Sequence, residues 1–258
     1  IGGINSESSI AAAELFKIIC KQTLTLENPE SAELAKLASN SYRDLIFAFS
    51  NDLSRLAPKI GANVYEVIEA CNNNYPRARI PYPGPVGGPC LSKDSWILDF
   101  SAREADVELF TPSAARFSNE NVVNYFASNL LDKVKVKPRE ILLLGLSFKG
   151  NPVTSDHRMS ASQELLPFLR KKYPNATFFG YERSGIFNIE GLTQTESLES
   201  KLRNSQLIFL LTNSDDFKNI EETVNNQVET NAIIVDFWGS LNGAKLRKDI
   251  RYFCWGKN

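Results

Sequence analysis

The chain has 258 residues, 43% hydrophobic and 23% charged, with 29 Lys+Arg against 30 Asp+Glu and a formal net charge of -1. That length allows one large or two modest domains with ample core, and the charge balance lacks the basic footprint of a nucleic-acid binder. No apolar run reaches the roughly 20 residues that span a bilayer, and no basic leader precedes a signal-type segment.

The chain opens on Ile1, and its single methionine is Met159. The reading expected from this is a fragment or processed product, in which Ile1-Gly2-Gly3 ends a strand of a preceding domain. Ser6 to Lys21 carries apolar residues at helical spacing, with Ser6, Ser8 or Ser9 available as a cap. Asn28-Pro29-Glu30 opens a long helix to about Ala57, since proline suits a first turn and Pro58 stops the run. Along it Leu34, Ala38, Leu45, Phe49, Leu53 and Leu56 share a face, and Leu45 to Phe49 is apolar all round. Such a helix must be buried on every side, within the subunit or against a partner, and a dimer interface is the favoured expectation. Lys36 and Asn40, four apart, project together and could stabilise an oxyanion, whereas Arg43 and Asp44 read as a polar stripe at the solvent edge.

Val64 to Asn72 predicts a short helix. The run of Asn, Pro, Arg and Gly from Asn72 to Cys90 forbids regular structure and marks a functional loop. Lys93–Glu104 and Ser113–Val134 are again helical, the second capped at Thr111-Pro112. Beyond Lys137-Pro138-Arg139 the pattern changes to apolar strands near 140–145, 176–180, 206–212 and 232–237. Helices alternate with them near 160–171, 197–204 and 214–226, the signature of a parallel sheet covered on both faces. The expected architecture is therefore α/β: an all-helical domain over 1–136, then a Rossmann-like, doubly wound parallel-sheet domain over 137–258.

The four cysteines, Cys20, Cys71, Cys90 and Cys254, show no paired spacing, which predicts no zinc site, no disulfide framework and a reducing, cytoplasmic setting. Cys20, Cys71 and Cys254 read as buried spectators. Cys90 follows Gly87-Gly88-Pro89, glycines that let a substrate approach, and stands at a helix start with Lys93 and Asp94 within a turn. A helix start and a lysine favour the anionic, nucleophilic form of a thiol, and Asp94 could serve as a base or orient water. There is no GxGxxG. Gly145-Leu-Ser-Phe-Lys149-Gly150 spaces its glycines too widely, and Glu182 at a strand end is a weak ribose-binding candidate. Lys149 could meet a phosphate or carboxylate. The lone histidine, His157, reads as a surface or supporting residue.

Three of these runs together carry a resemblance. Ala32 to Asp44, Val86 to Asp94, and Gly145 to Gly150 with Asp156-His157-Arg158-Met159-Ser160 resemble the UDP-glucose/UDP-N-acetylmannosamine/GDP-mannose 6-dehydrogenase family. They correspond to its central helix, its catalytic-cysteine loop and the start of its C-terminal nucleotide-sugar domain. The resemblance implies an NAD-dependent, four-electron oxidation of a nucleotide-sugar C6 alcohol. On it, Cys90 is the nucleophile, Asp94 assists proton transfer, and Lys36 and Asn40 hold the oxyanion. Lys149, Phe148, Gly87 and Gly88 meet the substrate, while Lys93 and Arg158 lie toward the cofactor. It also implies a UDP-linked substrate, a homodimer through the long helix, and NAD held mainly by an N-terminal domain outside these residues, with no metal. Departures are Pro89 where members often have Ser or His, and Asp236-Phe237-Trp238 where they usually have Asp-x-Arg. A non-catalytic nucleotide-sugar-binding or dimerisation module of the same descent is the alternative.

Overall fold

A computed structural model describes residues 1–131 and 134–257. The helical half comprises α1 (Ser6–Phe16), α2 (Pro29–Leu56), α3 (Val64–Asn72), α4 (Gly88–Glu104), α5 (Thr111–Glu120) and α6 (Val122–Leu131). Asn5, rather than a serine, caps α1 by accepting from Ser8 N at 2.8 Å, and the helix stops at Phe16. Asn28 caps α2 through Ser31 N at 2.8 Å with Pro29 in the first turn. A single tight turn over Ala57–Ile60 ends the run at Gly61, whose φ of 78° suits a residue without Cβ. The helix expected over Ser113–Val134 is two helices. Asn121 breaks it, its side chain donating to the Phe117 carbonyl at 2.8 Å and so competing with the backbone ladder. Asp132 and Lys133, within that expected helix, lie outside the described residues.

The second half is a six-stranded sheet in the order β3-β2-β1-β4-β5-β6, and every pairing is parallel. The strands are β1 (Glu140–Leu144), β2 (Thr177–Tyr181), β3 (Thr193–Thr195), β4 (Leu207–Leu210), β5 (Ile233–Asp236) and β6 (Arg251–Cys254). Helices α7 (Ala161–Lys172), α8 (Leu198–Asn204) and α9 (Glu221–Gln227) connect them. The period-two alternation of a strand divides the core. Ile141, Leu143, Phe209 and Val235 face α6 and α7, while Leu142, Leu144, Ile208, Leu210 and Ile234 face α8 and α9. Although α6 precedes the expected boundary at Lys137, its Val122, Val123, Phe126, Ala127 and Leu130 pack in the sheet's own core.

Strands β3 and β6 escaped the sequence reading because β3 is three polar residues and β6 carries only a short apolar run at the sheet edge. The segment expected to be helical over 214–226 splits into a tight turn at Asp215–Phe217 and α9. Among the described residues no helix is long and apolar enough to cross a membrane.

Of the two burials expected for the long helix, the one wholly within its own subunit is not found. The buried face of α2 is polar apart from Ala48, formed by Asn40, Ser41, Asp44, Ser50, Asn51 and Ser54 around it. Its apolar face is turned outward, with Leu34 55%, Phe49 52% and Leu56 53% exposed. Within one chain α2 is thus not buried on every side. Cys20 and Cys71 are exposed rather than buried, whereas Cys254 is buried as expected.

Candidate functional site

The buried polar face of α2 is a scaffold for the loop that leads into Cys90. Asn51 clamps Gly84 from both sides, its Nδ2 donating to the carbonyl at 3.1 Å and its Oδ1 accepting from the N–H at 2.9 Å. Ser50 Oγ donates to the Pro81 carbonyl at 2.6 Å, and Asn72 pairs both ways with Ile80. A loop too rich in proline and glycine to satisfy its own backbone is therefore satisfied by side chains of the helices beneath it.

That loop delivers Gly87, which caps α4, so Gly88, Pro89 and Cys90 form the first turn. The thiol is exposed. One turn on, the carboxylate of Asp94 is buried, 3% exposed, and receives Lys93 Nζ on Oδ1 and Asn40 Nδ2 on Oδ2, each at 2.5 Å. Burial pushes this carboxyl up, but the Lys93 and Asn40 hydrogen bonds and the charges of Lys93 and Lys36 outweigh it and hold it below its ordinary value. The same contact with Asp94 raises the Lys93 ammonium. Asp94 is thus a fixed anion that orients Lys93 and Asn40, a poorer proton acceptor than the sequence reading allowed. Asn40, read as an oxyanion donor, has one donor engaged by Asp94.

The sheet supplies the opposite wall. The turn after β1 brings Phe148 against the start of α4: a Cβ on Gly88, whose φ is 88°, would sit 2.5 Å from the Phe148 ring. A Cβ on Gly87 would sit 1.8 Å from the Met159 carbonyl oxygen. Gly87 is needed because a second backbone meets it there, and Gly88 because its positive φ and the Phe148 ring leave no place for a Cβ. Lys149 Nζ lies 5.4 Å from the Phe148 ring centroid. Arg158 is held by Asp156 as a fork, Nε to Oδ1 at 3.0 Å and Nη2 to Oδ2 at 2.7 Å, which lowers that carboxyl to about 2. Cys90 lies close enough to interact electrostatically with both Arg158 and Lys93. All ten residues singled out from sequence therefore collect around one seam, at the carboxyl ends of strands beside the β1–β4 switch point, where open α/β sheets bind ligands.

Other readings resolve differently. Glu182 is not available to a ribose. One of its oxygens accepts from Leu146 N, Ser147 N and Ser147 Oγ at 3.2, 3.3 and 2.9 Å, tying β2 to the turn after β1. Half-buried His157 packs edge-on against Phe187 at 5.4 Å. Trp238 fills a cleft: its ring meets Phe47 at 6.4 Å, its Nε1 donates to the Leu211 carbonyl at 3.0 Å, and a Cβ on Gly84 would lie 2.5 Å from it.

The residues that sequence reasoning missed lie beneath α4. Asp44, expected at the solvent edge, is fully buried. Its carboxylate receives Arg116 Nη1 at 2.9 Å, Asn119 Nδ2 at 2.7 Å and Ser95 Oγ at 3.1 Å. Burial pushes Asp44 up against the pull of Arg116, Asn119 and Ser95. Arg116 Nη1 also donates to the carbonyl of Leu91, next to Cys90, at 2.7 Å. The signal was present as the recurrence of Asn40, Asp44 and Asn51 on one helical face.

Glu164, in the first turn of α7, links this network to the sheet. Burial raises its carboxyl to about 7 from 4.5, with Arg116 opposing and Glu120 reinforcing the shift. A carboxyl raised on folding is protonated more readily in the native state. Its stabilising effect is complete below about pH 4.5 and is lost as pH rises through about 7, by about 3 kcal/mol at most. Denaturant unfolding of Glu164→Gln should match wild type at pH 5 and exceed it by about 2 kcal/mol at pH 8. Equal gains at both pH values would show that Glu164 does not titrate there.

Residues 30–121 match the central domain of the UDP-glucose/GDP-mannose dehydrogenase family. A UDP-N-acetyl-D-mannosamine dehydrogenase of Methanococcus vannielii is 30% identical over 250 residues, which cover 94% of this chain and 56% of that protein. An NDP-N-acetyl-D-galactosaminuronic acid dehydrogenase of Ralstonia nicotianae is 36% identical over 172 residues, covering 64% of this chain and 38% of that protein. A solved UDP-D-ManNAc dehydrogenase from Pyrococcus horikoshii superposes with a TM-score of 0.80 at 28% identity, over 99% of this chain and 59% of its own. The chain spans about half the length of the curated relatives it matches. With a helical domain whose polar core presents Cys90, followed by the parallel-sheet domain these structures share, the chain belongs to the UDP-glucose/GDP-mannose dehydrogenase family.

Proposed function

We propose that this chain is the thiol-bearing and substrate-binding part of a UDP-sugar 6-dehydrogenase that oxidises a C6 alcohol to a carboxylate in two hydride transfers. The observation that carries the reading is the convergence of Cys90, Lys93, Asp94, Asn40 and Lys36 from the helices on Phe148, Lys149 and Arg158 from the sheet.

After the first oxidation, the Cys90 sulfur adds to the C6 aldehyde. The carbonyl oxygen becomes an alkoxide and the product is a thiohemiacetal. Lys36 and the remaining N–H of Asn40 stand beside Asp94, placed to hold that oxygen. Loss of hydride from C6 gives a thioester; water adds, the C–S bond breaks, and the carboxylate leaves with the thiol restored. Asp94, kept ionised by Lys93 and Asn40, orients the donors around this water. Gly87 and Gly88, expected to let a substrate approach, instead admit the Met159 carbonyl and the Phe148 ring and so fix the Cys90 turn against the sheet, while Phe148 and Lys149 offer a flat face and a cation to the nucleotide.

NAD would supply the hydride acceptor. The described residues do not fit it at the sheet's switch point, because the turn after β1 lacks dinucleotide spacing and Glu182 is engaged by that turn. Its main site is assigned to a domain outside these residues, with Lys93 and Arg158 at the edge that faces it. The outward apolar face of α2 supports a homodimer through that helix, and sedimentation of the chain as a monomer would count against it. Three exposed free thiols support a reducing, cytoplasmic setting.

The test uses the protein together with its NAD-binding region, NAD and a panel of UDP-sugars that includes UDP-N-acetyl-D-mannosamine. Two NADH should form per sugar, and Cys90→Ser should lower kcat by about 10³-fold or more. A Cys90→Ser enzyme that still makes two NADH per sugar at wild-type rate would sink the thioester route. UDP-sugar binding without turnover would favour the binding-module reading, to which the packed Trp238 gives some support.

A further inference from the structure

A cavity of about 310 Å³ lies between the carboxyl-terminal end of α2, α6 and the chain from β6 onward. It shares no lining residue with the Cys90 site. Its walls are aromatic: Tyr125 meets Trp255 edge-on at 5.9 Å and Phe126 meets Trp255 at 4.7 Å. Arg55, Lys59 and Lys257 also line it, and among the described residues no Asp or Glu does. Arg55 is tied to Asp52 and Ser118 and lies 5.5 Å over Tyr125, and Lys257 lies 5.1 Å over the Tyr65 ring. Trp255 is 3% exposed, and its indole N–H has no acceptor in the structure.

These features favour one class of ligand. Edge-to-face rings from two separate elements give the cavity a rigid aromatic wall, and its size and composition are typical of small-molecule sites. A lining whose charged side chains, among the described residues, are all cations favours negative charge. A donor buried without an acceptor is costly to leave unmade and invites an acceptor from outside. We propose that this cavity binds a small planar aromatic anion, a ring that carries a carboxylate or a comparably charged group. The ring would lie among Tyr125, Phe126 and Trp255, with its charge toward Lys59 and Lys257. Because α6 packs in the sheet core while Arg55 is on α2, an occupant would touch both halves of the molecule.

The test is saturation-transfer NMR and calorimetry on the full chain with three probes: 2-naphthoate, the uncharged 2-naphthalenemethanol, and the non-aromatic cyclohexanecarboxylate. Saturable one-to-one binding of 2-naphthoate is expected, with both other probes at least tenfold weaker. Lys59→Met with Lys257→Met, surface changes that leave the core intact, should weaken naphthoate at least tenfold, as should Tyr125→Ala. Cys90→Ser should leave its affinity unchanged. No saturable naphthoate binding at millimolar concentration would overturn the proposal. So would equal affinity for the neutral alcohol, retention in the double lysine variant, or loss in Phe49→Ala, which would place the probe on the outward face of α2.

Discussion

Arg116→Met should destabilise the chain by about 3–5 kcal/mol, a drop in Tm on the order of 10 °C for a protein of this size, with the Cys90 turn loosened at the same time. The guanidinium is 2% exposed and Asp44 is fully buried, so the substitution leaves a carboxylate without its countercharge in a site that water does not reach. It also removes the donor on the Leu91 carbonyl. Arg116 Nε, 3.3 Å from Glu120 Oε1 but without hydrogen-bond geometry, contributes little to this cost. The double variant Asp44→Leu/Arg116→Met should be milder than Arg116→Met alone, because it removes the stranded charge along with its partner. Unfolding midpoints measure the stability, and the iodoacetamide alkylation rate of Cys90 reports the turn. If the double variant lost the sum of the two single losses, the pair would not be coupled.

Gly87→Ala should cost about 3 kcal/mol and open the seam between the two halves. A left-handed backbone is not the cause, since φ at Gly87 is −139°. The obstacle is the Met159 carbonyl oxygen at 1.8 Å, a backbone atom that no rotamer change can move aside. Gly61 is the control. Its φ is 78° with nothing within 4 Å, so alanine there meets only the left-handed penalty of about 1–2 kcal/mol. Denaturant melts of both variants, with hydrogen exchange at Met159 and Ser160, distinguish the two mechanisms. Equal costs, with no change in exchange at the seam, would exclude the steric account.

Local patterns made much of the architecture legible. Asn28-Pro29 marked the start of α2, and four continuous apolar runs marked β1, β2, β4 and β5, because buried parallel strands need apolar side chains on both faces. Strand β3 stayed hidden because Thr193–Thr195 acquires strand character only by pairing with β2. The ten site residues were visible as short motifs whose chemistry depends on residue type and near neighbours. The Asp44–Arg116–Asn119 network was not visible. Asp44 and Arg116 stand 72 positions apart, and each alone reads as a charged side chain turned to solvent.

The orientation of α2 shows most clearly where local information ends. Composition and period determine that residues 29–56 form one long helix with an apolar stripe, since helix formation depends on neighbours three and four positions away. Which stripe turns inward depends on what the other elements offer. Here the loop before Cys90 and the buried ends of α4 and α5 present unsatisfied carbonyls, an amide and a guanidinium, so the polar face of α2 is drawn in to meet them and the apolar face is left outside. The Cys90 thiol, Lys93 and Asp94 were therefore readable from a nine-residue motif. Their setting, a thiol-bearing turn pinned by a buried ion pair and pressed against the sheet through two glycines, arose only when distant segments met.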